Sequence, residues 1–292
     1  MTTPVLQSLH QHYPGALLDI VGDRRSSVLF SRCPYRGEIV HKDKNRIFRG
    51  AFALLKTLRG RVYDLIVDLR TDGIAYLLRG KKRYTKWRSV AYGPHSVEQL
   101  MGVIRDIHGN RPIPPACIWL DGEHDTFAGE ILSELPGGNW LACAPGVGGA
   151  IEKTWLPRNY AILANKMTDL FSGVILVGDA CERRFTAAVR RELSVPCMDM
   201  AGETDLLQVA ALLKQAAMFV GSDSGLGHVA GAVATPTLSF FSVDRPERCL
   251  PWGNRAVWLS GSNRDARTIP VAAAESKIRQ IMQAHQISSR RS

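Results

Sequence analysis

A chain of 292 residues, 45% hydrophobic and 22% charged, has the composition of an ordered globular protein and enough length for two domains. Its longest apolar stretches, SGVILVG and AAMFVG, fall far short of the roughly 20 residues that span a bilayer, and MTTPVLQSLHQHYPG lacks the basic start and apolar run of a secretion signal, so a cytoplasmic protein is expected. A formal net charge of +10 points to an anionic partner, whether nucleic acid, a phosphorylated small molecule or an acidic membrane surface.

In chain order, ALLDIV (16–21), EIVHK (38–42), YDLIVDL (63–69), RSVAY (88–92) and ACIWL (116–120) read as strands of a first half. NRIFRGAFALLKTLRG places Phe48, Ala51, Phe52 and Leu55 on one face of a helix. The densest basic run, RGKKRYTKWR, carries Lys81, Lys82, Arg83, Lys86 and Arg88. It reads either as a solvated loop or as an anion-docking surface. SELPGGNW, with Pro136, Gly137 and Gly138, marks the expected hinge, giving domains 1–136 and 137–270.

The second half repeats the alternation. NWLACAPG (139–146), GVILVGD (173–179), AAMFVGSD (216–223), TPTLSFF (235–241) and AVWLSG (256–261) read as strands, and Leu206, Leu207, Ala210 and Leu213 form a helical face. Residues 271–292 read as a final helix and a frayed tail. The pattern predicts two doubly wound α/β domains, whose ligands sit beyond the carboxyl ends of the strands. Six scattered cysteines with no C-x-x-C pair are expected to be reduced thiols.

Three strand-to-helix junctions carry candidate chemistry. In VGSDSGLGHVAGAVATP, Gly225 and Gly227 let a phosphate approach backbone N–H groups, Ser222 and Ser224 offer hydroxyls, and Asp223 reads as an N-cap. A capped junction with His228 in the core is the plain alternative. APGVGGAIEK is not a Walker loop, because Glu152 stands where glycine is required, yet Lys153 at its end can meet a phosphate as a point charge. In LVGDACERRF, Asp179 and Glu182 are either helix-start carboxylates or acceptors for sugar hydroxyls.

Asp223-Ser224-Gly225-x-x-His228, the Lys153-x-Trp155 pair and Glu182, in this order and spacing, resemble the donor domain of the ADP-heptose:lipopolysaccharide heptosyltransferases, glycosyltransferase family 9. TTPVLQSLHQHYPGALLDIV, YDLIVDL and HSVEQLMGVIRDIHG extend the resemblance through the first half. The resemblance implies a GT-B fold of two Rossmann-like domains facing a central cleft. It implies inverting transfer of heptose or a related sugar from an ADP-sugar to the anionic lipopolysaccharide inner core, with no cofactor, no metal and no nucleic acid. It places the donor on Lys153, Glu182, Ser222, Asp223, Ser224, Gly225 and His228.

The basic residues Lys81, Lys82 and Arg83 are the expected acceptor contacts, with transient contact at the cytoplasmic face of the inner membrane. Two departures qualify the match. The family's first strand and its glycine-aspartate turn, which supplies a general base, would precede Met1, so the catalytic base is unassigned and Asp23 lies after the wrong strand to replace it. The alternative implied is a noncatalytic nucleotide-sugar or glycan-binding relative. Ser242, Asp244 and Arg245 also replace the family's usual glycine, threonine and aspartate.

Overall fold

The structure is a computed structural model that describes residues 1–42, 47–70, 73–146 and 153–289. The chain forms two units, Met1–Trp119 and Leu120–Ser292. The division falls before the expected hinge. Residues 136–138 instead make a turn, with Gly137 at φ +70, between a helix and a strand that both belong to the second unit.

In the first unit, α1 (Thr3–His12) leads into β1 (Leu18–Gly22), which pairs in parallel with β2 (Arg36–His41), Ile20 standing opposite Ile39. Next come α2 (Ile47–Arg59) and β3 (Tyr63–Asp68), α3 (Ile74–Leu77) and β4 (Gly80–Thr85), with β3 and β4 also parallel. Short helices α4 (Ser96–Met101) and α5 (Arg105–His108) complete it. Among the described residues, the strands form two separate pairs and not one sheet.

Two expected strands are not found. ACIWL is apolar because it lines a core: Ala116 is buried and Trp119 packs edge-on against Tyr35, with no ladder partner among the described residues. RSVAY is irregular, and the strand is the preceding basic segment GKKRYT. The face expected for α2 also shifts. Leu54 and Leu58 are buried while Phe52 is exposed, and the side chains of Phe48 and Ala51 lie outside the described residues.

The second unit opens with α6 (Gly122–Ser133), capped by Asp121, and holds β5 (Trp140–Ala144), α7 (Pro157–Lys166), β6 (Gly173–Leu176), α8 (Arg183–Glu192) and β7 (Cys197–Asp199). The chain continues through α9 (Leu206–Gln215), β8 (Met218–Ser222), α10 (Gly225–Ala232), β9 (Thr237–Phe241), α11 (Pro246–Cys249), β10 (Ala256–Ser260) and α12 (Val271–Ser289). All strand pairs are parallel, in the order β10-β9-β8-β5-β6-β7. Strands β6, β8 and β9 are buried at every position, which is why none of them carries a charged residue.

The core of this unit joins Leu141, Val220 and Phe240 of the sheet to Trp155, Tyr160 and Leu163 on one face, with Ala274 and Ile278 of α12. Helix α9 begins in a full capping box: Asp205 accepts from the N–H groups of Leu207 and Gln208 at 2.8 Å, and Gln208 reaches back to the Asp205 N–H at 2.9 Å. Its buried face includes the expected Leu207, Ala210 and Leu213. No helix among the described residues is long and apolar enough to cross a membrane.

Candidate functional site

In the second unit the chain builds β5, β6 and β7 outward in one direction, then returns past β5 to lay β8, β9 and β10 on the other side. The order reverses between β5 and β8. Helical crossovers leave those two strands by opposite faces, so a crevice opens beyond their carboxyl ends, where doubly wound sheets hold ligands.

Side chains from four strand ends gather along this edge of the sheet. Tyr160 of α7, fully buried, ties β5 to β8, its hydroxyl donating to the Ala144 carbonyl at 3.4 Å and lying 3.5 Å from Ser222 Oγ. Ser222 is fully buried as well, and its Oγ accepts from the Trp155 backbone N–H at 3.4 Å. The expected role of Ser222 as a hydroxyl facing a ligand is therefore corrected: it is the last residue of β8, pointed into the core, where it anchors the segment carrying Lys153.

Trp155 secures that segment further. Its indole N–H donates to the Ile269 carbonyl at 2.8 Å, and its ring packs against Tyr160 and Phe240 at centroid distances of 4.9 and 4.3 Å. With Trp155 and Thr154 buried, Lys153 emerges next to them toward the crevice, 29% exposed. Gly148, Gly149 and Glu152 of the glycine loop lie outside the described residues.

Helix α10 starts immediately after β8. Its N-cap is Ser224, and no side chain caps it. The expectation that Asp223 would cap is overturned, because its carboxyl turns toward Asp244 on the loop after β9. Ser224 Oγ is buried with no hydrogen-bond partner among the described residues. The first-turn N–H groups thus receive no capping bond from the Ser224 side chain, and the helix dipole presents positive potential at this end.

Open space surrounds the position a Cβ would take at exposed Gly225. Gly227 differs: it lies on the buried side of α10, where a Cβ would rest in ordinary contact with Pro251 and Ser239 at 3.5 Å, and a Cβ on Gly231 would press Pro251 at 2.9 Å. His228 is half-buried on the same helix.

Three charged groups meet beside the start of α10. Lys153 Nζ forms an ion pair with Asp244, and Asp244 shares a hydrogen bond with Asp223. Burial first, and then the neighbouring Asp244 carboxylate, push the Asp223 carboxyl up to about 6. Asp244 moves the other way, held ionised chiefly by its bond to Lys153, and the same bond raises the lysine. In sequence Asp244 stands out only as a departure from the family pattern, and its one signal is its place just past the carboxyl end of β9.

Glu182 stands at the end of the third junction. It completes a capping box, its carboxylate accepting from the Asp179 N–H at 3.0 Å while Asp179 accepts from the Cys181 N–H at 3.0 Å. A side chain on Gly146 or Gly178 would overlap Glu182, so the carboxylate lies across the ends of β5 and β6. Glycine at both strand ends leaves the room that this carboxylate fills.

The first unit has a separate basic feature. Lys82, Arg83, Thr85, Arg88, Arg105 and Asp106 are among the residues lining a cavity of about 290 Å³. Arg83 is fixed there by its bonds to the Ala75 and Leu78 carbonyls, and Arg105 by bonds to the Val90 and Ala91 carbonyls and by the Tyr92 ring at 4.5 Å. Lys81, the third expected acceptor contact, is not among the lining residues and pairs instead with Asp64 at 2.7 Å.

The profile of "Glycosyltransferase family 9 (heptosyltransferase)" matches residues 84–277. Lipopolysaccharide heptosyltransferase 2 of Escherichia coli K12 is 24% identical over 88% of this chain and 82% of its own length. The lipopolysaccharide core heptosyltransferase OpsX of Haemophilus influenzae is 23% identical over 86% and 77%. Among solved structures, a family 9 glycosyltransferase from Veillonella parvula superposes with a TM-score of 0.83 at 16% identity, covering 97% of this chain and 93% of that one. ADP-heptose lipopolysaccharide heptosyltransferase II of E. coli gives 0.78 at 18% identity, covering 98% and 95%, and E. coli heptosyltransferase WaaC with ADP gives 0.75 at 17% identity, covering 96% and 95%. These likenesses assign the GT-B fold, and with the profile match over most of its length the chain belongs to glycosyltransferase family 9, as a glycosyltransferase of the heptosyltransferase type.

Proposed function

We propose that the protein transfers heptose or a related sugar from an ADP-sugar to the inner core of lipopolysaccharide, with inversion at the anomeric carbon and without a metal. The observation that carries this is the uncapped start of α10, at the strand-order reversal, with the Lys153 ammonium beside it. Backbone N–H groups aimed at one point and a nearby cation suit a diphosphate, and they would stabilise the charge that gathers on it as the sugar departs. In this reading Ser224 and Gly225 meet the phosphate, and Glu182 and His228 meet the ribose or sugar. Ser222 contributes indirectly, by holding the segment that carries Lys153.

The names of the relatives support the donor and acceptor classes: two are lipopolysaccharide heptosyltransferases, and WaaC is a heptosyltransferase solved with ADP. The acceptor is anionic, and the cavity lined by Lys82, Arg83, Arg88 and Arg105 is the surface suited to its charge. Since that acceptor is part of a lipid, the reading places catalysis at the cytoplasmic face of the inner membrane, through transient contact.

The test is titration calorimetry with ADP on the native chain and on Lys153→Ala. The native protein binds. The variant binds more weakly by about 1.5 to 3 kcal/mol, roughly 10-fold to 150-fold, through loss of a charge-assisted contact. Failure of the native chain to bind ADP or an ADP-sugar refutes the reading, and an unchanged affinity in the variant removes Lys153 from the site.

A further inference from the structure

At the crevice of the second unit, Lys153 is already engaged. Its ammonium holds Asp244, and Asp244 in turn holds Asp223, in a row that runs from the β5 segment to the β9 loop and back to the β8 turn. A phosphate arriving at the start of α10 therefore meets a neutralised cation and two carboxyls. We propose that Asp244 is a displaceable counterion: a donor phosphate takes its place on Lys153, and the released Asp244 carboxyl closes with Asp223 around one proton drawn from solvent, so that nucleotide binding takes up a proton.

The inference rests on the donor reading above and adds a residue to it. Two observations support it. Asp244 sits on an exposed loop, its side chain 44% accessible, so it can leave Lys153 without unpacking the core. Asp223 is bound to the sheet, its N–H donating to the Phe240 carbonyl at 2.9 Å, so it stays in place to receive Asp244.

Two carboxylates in contact cannot both remain charged once their cation is lost, and a shared proton is the stable outcome. In the free protein Lys153, paired with Asp244, and Arg248 both favour the ionised pair, and Asp223 is raised only to about 6. The groups facing the pair are Lys153 from the β5 segment, and Arg248 and the Cys249 thiol from α11. Arg248 favours ionisation, and the thiol, raised mainly by burial, stays neutral.

The proton balance closes simply. No covalent bond is made or broken. The Lys153–Asp244 ion pair opens, a phosphate–Lys153 pair forms, and one bulk proton joins the Asp223–Asp244 pair.

The experiment is calorimetric titration of the full chain with ADP at about pH 8, in two buffers of different ionisation enthalpy, for the native protein and for Asp244→Asn and Asp244→Ser. Above pH 7.5 the nucleotide's own phosphate is fully ionised and adds no proton of its own. The native protein takes up close to one proton per ADP, and its affinity falls as pH rises from 7.5 to 9, by at most about 10-fold per pH unit. Both variants bind ADP at least about 10-fold more tightly at pH 8 and without proton uptake, since removing the charged competitor frees Lys153.

Native binding without proton uptake, or variants no tighter than the native protein, overturns the counterion role and leaves the donor reading standing. Absence of ADP binding in all three proteins overturns both. ADP binding in the variants alone overturns the displacement, because the native Asp244 then never leaves Lys153, and the donor reading of the native chain falls with it.

Discussion

Trp155→Phe tests whether the lysine at the crevice is held from beneath. The indole N–H bond to the Ile269 carbonyl, at 2.8 Å, is buried, as are both residues that make it. Phenylalanine keeps a ring against Tyr160 and Phe240 but has no donor, so the Ile269 carbonyl loses its partner where water cannot replace it. An unsatisfied buried acceptor costs about 1 to 3 kcal/mol, and the smaller ring leaves a gap worth on the order of 1 kcal/mol more. The expected loss is about 2 to 4 kcal/mol in the unfolding free energy of the second unit, read from urea titrations followed by far-ultraviolet circular dichroism. ADP affinity falls with it, because the segment that aims Lys153 loosens. A loss below about 0.5 kcal/mol would refute the reasoning, since it would mean that the Ile269 carbonyl finds another donor and that Trp155 is no anchor.

Asp205→Ala removes the acceptor of two α9 N–H bonds and costs about 1 kcal/mol, within a range of roughly 0.5 to 2, measured as a shift in the urea midpoint. ADP affinity stays the same, because α9 starts after the edge strand β7, two strands from β5 and the order reversal. Asp223 links stability to pH with a definite sign. Its folded value of about 6 stands above the ordinary carboxyl value, so the folded state holds more protons between roughly pH 4 and 6. Its contribution is complete below pH 4 and is lost as pH rises through 6. After allowance for solvent screening of a partly exposed group, the effect is on the order of 1 kcal/mol, and Asp223→Asn should flatten that part of the stability profile.

The second unit was legible because its strands are covered on both faces. Residues 173–176, 218–222 and 237–241 are short, uncharged runs rich in apolar residues with glycine, serine or proline close by, which leaves little choice of structure. Only β7, three residues long at the edge, gave too short a signal to see. The first unit was harder because its strands are only partly covered. In β4, Lys81, Lys82 and Arg83 are exposed and the segment reads as a loop, while ACIWL reads as a strand because burial and ladder pairing leave the same mark on composition.

The site divided in the same way. Lys153, Ser224 and Gly225, the residues of the proposed site, can be picked from sequence because strand-to-helix junctions in parallel sheets all point to one edge. Ser222 and Gly227 were misassigned because a residue's face on a turn is set by packing, against Tyr160 in one case and Pro251 in the other. Asp244 carried no local pattern, and its meeting with Lys153 across 91 positions of sequence is a product of topology alone.

The indole tether at Trp155 also has a mechanical consequence. Ile269, which receives it, is followed by Pro270 and then by the first turn of α12, so the base of the lysine arm and the root of the last helix behave as one stiff lever. A pull on the ammonium reaches that helix through a short stretch of chain and one hydrogen bond. Amide exchange around 271–274 should therefore slow when nucleotide is added, even though those amides touch none of it.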